Sequence, residues 1–551
     1  MASIYDKSSL VLIPSGTKTG KIFSQKPVSG DGDFTFTRAS AATRVNADGN
    51  IEKETSNLLL QSNQFDTTWS RIGSSLTSGQ SGYDGSNEAW LLQALTTTGA
   101  SIRQSVSKSG VQAYSVYAKA GTANYLGFYN IAGLIPRAWF DLSNGSVGTT
   151  LNNIDAKIES VGNGWYKCSL IYDQVLSEVR IYAAASDNTF ATSVGDNIYI
   201  QDAQLEQGLV ATPYIPTTTT TAQAGVLETT PRLNYTTGVA NPYLLLEPSR
   251  TNIILYSEGM FDSEYSEING IVVAGQQVDL NGTNTAAKLS NFVNSSARLD
   301  YTTAIPAVSG KTYTYSGYYK GSGNININVS SSTGVGGAGE KTITLTDEWV
   351  RHSITVTFNS SPTGNVKSHL AITRTPNNNA EVYLCFVQIE EGAYATSYIP
   401  TYSVSTTRAA DTFVDKTLNY GGVFSAVFDI DGLGGKDANN FLIKIGQTNP
   451  IYLSVRRADK KIQFYSAVSG DGYFATPASK KIGISCDGTN WIWASDGTSG
   501  TLTATGVPNA ANIRIVTSGT AGGGLPGAKF NKMLLFDTTL SANELATLTT
   551  I

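Results

Sequence analysis

Ile198-Tyr199-Ile200-Gln201-Asp202-Ala203-Gln204-Leu205-Glu206-Gln207-Gly208, followed by Ala211-Thr212-Pro213-Tyr214-Ile215-Pro216, decides the fold of this chain, because most of it occurs twice. It returns as Glu381-Val382-Tyr383-Leu384, then Gln388-Ile389-Glu390-Glu391-Gly392 and Ala395-Thr396-Ser397-Tyr398-Ile399-Pro400. Both copies open on β-branched and aromatic runs, which suit a pleated, half-buried strand. Two upstream segments repeat in the same order. Ser56-Asn57-Leu58-Leu59-Leu60-Gln61-Ser62 matches Thr251-Asn252-Ile253-Ile254-Leu255-Tyr256-Ser257, and Tyr114-Ser115-Val116-Tyr117-Ala118-Lys119 matches Tyr315-Ser316-Gly317-Tyr318-Tyr319-Lys320. A repeat of about 150–160 residues far exceeds the ~20–50 residues of solenoid units, so it describes two whole domains in tandem.

Strand signals continue outside the repeat. Thr342-Ile343-Thr344-Leu345 and Ser353-Ile354-Thr355-Val356-Thr357 alternate strictly, and turn pairs such as Asn163-Gly164, Asn281-Gly282 and Asp487-Gly488 punctuate the runs. One short helix is expected at the end, where Ser541 caps Ala542–Leu548 with Glu544 as its capping-box partner. The expected fold class is all-β: tandem jelly-roll β-sandwiches with an N-terminal extended anchor segment. The boundaries read as an extended anchor or small β-element at 1–55, module 1 at 56–216 and a connector at 217–250. Module 2 follows at 251–400, a linker at 401–411 and a third sandwich at 412–551.

Composition narrows function by exclusion. Charged residues make up 15% of the chain, against about 25% in average proteins. The net charge of −5 leaves no basic footprint, which argues against nucleic acid as a partner. Leu10-Val11-Leu12-Ile13 is too short for the core of a signal peptide, and no apolar run has the ~18 residues of a membrane span. Three cysteines, Cys168, Cys385 and Cys486, fall one to a domain, which fits synthesis in a reducing cytoplasm without a disulfide framework.

Candidate chemistry is sparse. The only histidines are His352 and His369, and alignment on Trp165 and Trp349 places His352 at the position of Cys168, on a strand face expected to be core. Neither a nucleophile relay nor clustered metal-ligand spacing is present, so no catalytic residue is assigned. Glu206 and Glu390 are expected to be strand-end carboxylates that accept backbone N–H groups. Trp165 and Trp349 are expected to pack. Trp491 and Trp493 share one face of a strand and are either jointly buried or jointly available to a glycan or partner. Tyr473, in the loop-like Gly470-Asp471-Gly472-Tyr473, is a candidate to stack on a sugar ring, beside the glycine-rich 519–524 stretch.

Three segments carry a family resemblance. Leu12–Lys21 with Gly32-Asp33-Phe34-Thr35-Phe36-Thr37-Arg38 and Ala42–Glu52 resembles the opening of bacteriophage tail- or head-fibre proteins. Pro231-Arg232-Leu233-Asn234-Tyr235 with Leu244-Leu245-Leu246-Glu247-Pro248-Ser249-Arg250 is similar to a second recurring piece of those proteins. The Gln-x-Glu-x-Gly endings and Thr407-Arg408-Ala409-Ala410-Asp411 resemble a third. Residues 198–205 resemble the last strand of jelly-roll carbohydrate-binding modules, where an acidic residue often helps hold calcium. That resemblance implies a calcium ligand at Asp202, which the second copy lacks because Phe386 stands there. Residues 412–551 resemble a concanavalin A/laminin G-type jelly roll, through Cys486–Trp491 and Leu534–Leu545.

The resemblance implies a non-enzymatic phage virion protein, made in the host cytoplasm and located on the virion. Its N-terminal segment would attach to other virion proteins, and it would project outward, as a homo-oligomer with a trimer favoured, to contact host-surface polysaccharide. The rivals are a purely architectural capsid decoration or tail adaptor and, from another class, a glycan depolymerase.

Overall fold

The computed structural model describes residues 4–550 apart from 133, 261–264, 335–337, 360, 376–377, 414–415, 418–422, 432–439, 446–450, 456–460, 467–469, 478–480, 489, 503–511 and 516–527. For the strand residues at 131–132 and 276, and within 413–422, 431–480 and 502–528, it describes the backbone alone. Among the described residues the one α-helix is Ala542–Thr550, capped as expected: Ser541 N donates to Glu544 Oε2 at 2.9 Å and Glu544 N to Ser541 Oγ at 3.3 Å. No helix of the described residues is long and apolar enough to cross a membrane.

Each repeat unit folds as a two-sheet sandwich, and the strand orders coincide. The first sheet of module 1 runs Trp165–Asp173, Val111–Ala120, Asn197–Gln207, Ala89–Ala94, Ser74–Gln80; that of module 2 runs Val350–Thr357, Thr312–Ser322, Glu381–Glu391, Ala286–Ser290, Val272–Gln277. The second sheets match likewise, from Arg137–Asp141 to Ser70–Ile72 and from Ala338–Thr344 to Tyr265–Ile268. Module 1 adds an edge strand to each sheet, Asp155–Gly162 and Ser146–Leu151. That addition explains why the matched pair Cys168 and His352 differ. Cys168 lies in the core behind the extra strand, whereas His352 sits on an edge strand, half-buried against Tyr319.

The repeated motif is a closing clamp. Asn57 Nδ2 donates to Ala203 O (3.0 Å) and Ile215 O (2.9 Å); Asn252 Nδ2 donates to Val387 O (3.3 Å) and Ile399 O (2.8 Å). Glu206 accepts from Thr212 N (2.8 Å) and Oγ1 (2.6 Å), and Glu390 from Thr396 N and Oγ1 (both 2.7 Å). Ile215 N and Ile399 N each donate to the preceding glutamine, Gln204 or Gln388, at 2.7 Å. These bonds staple each module's last strand to the segment leaving it. Beyond the expected boundaries a ribbon closes each unit, Thr55–Asn57 with Ala222–Ala224 and Arg250–Asn252 with Thr406–Arg408.

The N-terminal segment forms short β-elements, one of its two expected forms, but it is not separate from the rest of the chain. Leu10–Leu12 pairs with Met533–Leu535 of the last strand, and Phe36-Thr37 with Thr412-Phe413. Short strands with little alternation are marginal alone; here distant strands of the same chain complete them. The connector joins the third sandwich too: Tyr243–Leu246 pairs with the same last strand, Ala528–Phe536, in a sheet that continues through Phe424–Asp431, Lys481–Cys486, Trp491–Ser495 and Thr498–Leu502. The first and last parts of the described chain thus form one body. The third sandwich therefore does not stand farthest from the N-terminal segment, as a chain running outward from it would require.

A buried charge cluster holds this body together. Asp411 accepts from Arg38 Nη1 at 3.1 Å and from Arg232 Nη2, while Glu247 accepts from Arg232 Nη1 at 2.8 Å and pairs with Arg408 at 3.3 Å. All five side chains are essentially inaccessible. Burial alone would raise the Glu247 carboxyl, but Arg408 and Arg232 outweigh it and hold it at about 2. Three cations share two carboxylates, and burial pulls Arg38 down to about 10. Removing one partner from such a cluster strands a buried charge, at a cost of about 3–5 kcal/mol. Three segments far apart in the sequence converge here, through Arg38, then Arg232 with Glu247, then Arg408 with Asp411.

Candidate functional site

The strand that carries the repeated motif slips register by one residue in both copies, between Ser115 and Tyr117 in module 1 and between Ser316 and Tyr318 in module 2. The extra residue sits in left-handed backbone: Asp202 at φ 54° and Phe386 at φ 52°. A bulge re-aims its side chain, so both copies present this position at the same place on the sheet. What surrounds it differs.

In module 1 the bulge opens onto a pocket of about 340 Å³ lined by Asn63, Glu88, Trp90, Asp202 and Tyr214, among others. Tyr83, from the loop between Ser74–Gln80 and Ala89–Ala94, donates its hydroxyl to Asp202 Oδ2 at 2.9 Å. Its ring stacks on Tyr117, centroids 3.9 Å apart and 4° from parallel. The loop is fixed from below, since Tyr83 N donates to Gln201 Oε1 at 3.2 Å and Gln201 Nε2 to Asp84 Oδ1 at 3.3 Å. Asp202 N donates to Asn63 Oδ1 at 3.1 Å, and Trp90 Nε1 to Asn63 O at 2.8 Å. Burial raises the Asp202 carboxyl to about 6. The Tyr83 hydroxyl pulls it back, as does that of Tyr214, while the Asp84 and Glu88 charges add to the rise.

In module 2 the position is closed. Phe386 packs with Ile51, Tyr398 and Ala286, with Tyr318 and Trp349 beside them. Ile51 belongs to the hairpin Arg44-Val45/Ile51-Glu52 of the N-terminal segment, and Asn281 clamps it by accepting from Ile51 N (2.7 Å) and donating to Ile51 O (2.9 Å). The chain itself fills the place that module 1 leaves open.

The expected site residues separate on these facts. Asp202 lies at the pocket, but its surroundings do not fit calcium, which takes six to eight oxygen ligands. Its Oδ2 accepts a phenolic proton, and among the described residues no three acidic, histidine or cysteine side chains gather to hold a metal. Trp491 and Trp493 are not jointly available. Trp491 is buried edge-on against Phe424, 5.7 Å between centroids, and Trp493 is half-buried over its cross-strand neighbour Gly500. The alternation placed both on one face; Phe424 decides that the first is core. Tyr473 falls in the strand Gly470–Pro477 instead of a rim loop, and residues 519–524 lie outside the described residues. Trp165 is buried, as expected of a packing residue, and Trp349 half-buried. Glu206 and Glu390 are spent on the clamp. Reading the sequence missed Tyr83, Asn63 and Trp90; the mismatch of Asp202 with Phe386 was the one signal that pointed to their neighbourhood.

No protein-family model and no curated protein matches the chain. Among solved structures it is similar to the CBM22-1 xylan-binding domain of Xyn10C from Paenibacillus barcinonensis, at 12% identity and a TM-score of 0.21, over 27% of this chain and 94% of that one. The CBM22-1–CBM22-2 tandem of the same protein gives 14% identity and a TM-score of 0.21 over 62% and 98%. Tandem CBM51 modules of Sp3GH98, a family 98 glycoside hydrolase from Streptococcus pneumoniae SP3-BS71, give 9% and 0.15 over 68% and 96%. Likenesses this distant assign no ligand.

Proposed function

We propose that this chain is a non-enzymatic phage virion appendage whose first sandwich binds a host-surface glycan in the Asp202 pocket. The observation that carries the reading is the divergence of the two copies: one frame, one bulge, plugged by Phe386 in one and opened around Asp202 in the other. The open copy offers what sugar recognition uses, the half-buried Tyr214 ring and the Asp202 carboxylate, which the Tyr83 hydroxyl orients, in a pocket within the ~300–1,000 Å³ range of ligand sites. Attachment through the N-terminal segment rests on its resemblance to fibre openings. Trimeric assembly would raise a weak single-site affinity through avidity, by about 10²–10⁴-fold.

The joining of N-terminal segment and third sandwich in one body favours a compact decoration or adaptor over a long fibre, so the architectural rival keeps weight. Full-length protein applied to arrays of bacterial surface polysaccharides, beside Tyr83→Ala and Asp202→Ala, tests the proposal. Retention of a glycan by the parent, with loss of about 10-fold or more in both variants, is expected. Equal retention by the variants would exclude the pocket, and no retention at all would leave the architectural role. Release of new reducing ends would make the protein an enzyme instead.

A further inference from the structure

A second pocket, of about 270 Å³, lies where four distant segments meet: the hairpin at Arg44, the connector at Tyr243, module 2 at Tyr318 and Arg351, and the last strand at Lys529. Its walls carry three cations, Arg44, Arg351 and Lys529, against one carboxylate, Glu247, although the chain as a whole carries −5. Arg44 is paired with Glu52 at 2.6 Å. Arg351 and Lys529 make no ion pair among the described residues. Arg351 Nη2 donates to Ser316 Oγ at 2.9 Å, and its guanidinium lies 5.7 Å from the centre of the Tyr318 ring. Its Nε is buried with no hydrogen-bond partner. Lys529 Nζ lies 4.8 Å from the centre of the Tyr243 ring. The acids nearby are engaged elsewhere, Glu247 by arginines of the buried cluster and Glu390 by Thr396 and Gln388.

The first copy supplies a control. Arg351 stands where module 1 has Lys167, whose ammonium is satisfied by Ala211 O at 2.9 Å and Thr212 O at 2.6 Å. In module 2 the longer, forked guanidinium keeps donors unspent beside Ala395 and Thr396, which also line the pocket. A planar guanidinium matches a carboxylate through two parallel hydrogen bonds, which a lysine cannot do. The Tyr243 and Tyr318 rings on the walls carry Lys529 and Arg351 over them, which holds both cations at the pocket.

We infer that this pocket binds an acidic sugar, its carboxylate on Arg351 and Lys529, which the Tyr318 and Tyr243 rings hold in place. The site is separate from the Asp202 pocket and stands or falls independently of it. The test is calorimetric titration of the full chain with glucuronate, with glucose, acetate and inorganic phosphate as comparison ligands. Glucuronate is expected to bind saturably, with glucose at least ~10-fold weaker. Arg351→Gln should weaken glucuronate by ~10-fold or more, and Arg351→Lys by less, with thermal unfolding showing both variants folded. Absence of glucuronate binding would overturn the inference. So would equal affinity for glucose, acetate or phosphate, or full affinity in a folded Arg351→Gln protein.

Discussion

Module 1 and module 2 share strand order, bulge and clamp, and they differ in what the rest of the chain does to them. In module 2 the N-terminal hairpin lays Ile51 against Phe386, and Asn281 bonds the hairpin backbone at Ile51. In module 1 nothing among the described residues takes that place; the module's own loop brings Tyr83 over Tyr117 and leaves Asp202 at the pocket. The duplicated frame fixes where a side chain is presented. The character of one residue and the reach of a distant segment decide whether that place becomes core or site.

The harshest way to break the comparison is to exchange the bulge residues. Phe386→Asp puts a carboxylate into the cluster of Ile51, Ala286 and Tyr398, losing aromatic packing and burying an unpaired charge. It should cost about 4–5 kcal/mol in urea unfolding of the full chain and expose the N-terminal hairpin to protease. The reciprocal Asp202→Phe fills an existing pocket, so it should change stability by about 1 kcal/mol or less while abolishing glycan retention. Equal costs in the two directions would mean that the copies are not in opposite states.

A second experiment tests the shared frame. Asn57 and Asn252 each donate two hydrogen bonds to carbonyls and accept two from amides, Leu59 N and Leu205 N in one copy, Ile254 N and Ile389 N in the other. Truncation to alanine leaves these buried partners unsatisfied, at about 3 kcal/mol for each variant. The two costs, read from urea midpoints at constant m-value, should agree within about 1 kcal/mol. A much smaller cost in one copy would show that the clamp holds only the other.

Sequence order and strand periodicity carried the tandem sandwiches, since every matched motif lies within one strand or next to it. The capped helix was legible for the same reason: Ser541 and Glu544 are three residues apart. The pocket was legible only at Asp202, because alignment of the copies exposed Phe386 opposite it. Tyr83 could not be read, as its loop has no counterpart of the same character in module 2. The buried cluster was hidden for a different reason. Arg38 and Asp411 are separated by 373 residues and Arg232 and Asp411 by 179, and each stands in a stretch that reads as anchor, connector or linker. Local pattern says nothing of such pairings, and the N-terminal segment accordingly looked independent.

The gentlest test uses pH, because only the open copy carries a titrating group at the bulge. The Asp202 carboxyl rises from 3.8 to about 6, chiefly through burial. The native state therefore holds its proton more tightly than the unfolded chain does. Between those values stability falls as pH rises, and above about 6 the full cost of the buried charge is present. Asp202→Asn removes the charge and keeps an acceptor for the Tyr83 hydroxyl. It should stabilise the protein by about 1–2 kcal/mol at pH 7–8. That is less than the whole cost of burying the charge, because the Tyr83 hydroxyl's bond to the carboxylate is charge-assisted and the amide replaces it imperfectly. The gain should shrink as pH falls from 6 and vanish below about 4. Unfolding midpoints from pH 4 to 8 check this. A gain that stays constant with pH would mean that Asp202 is not an ionised, buried group in the native state, and the electrostatic contrast between the two copies would be lost.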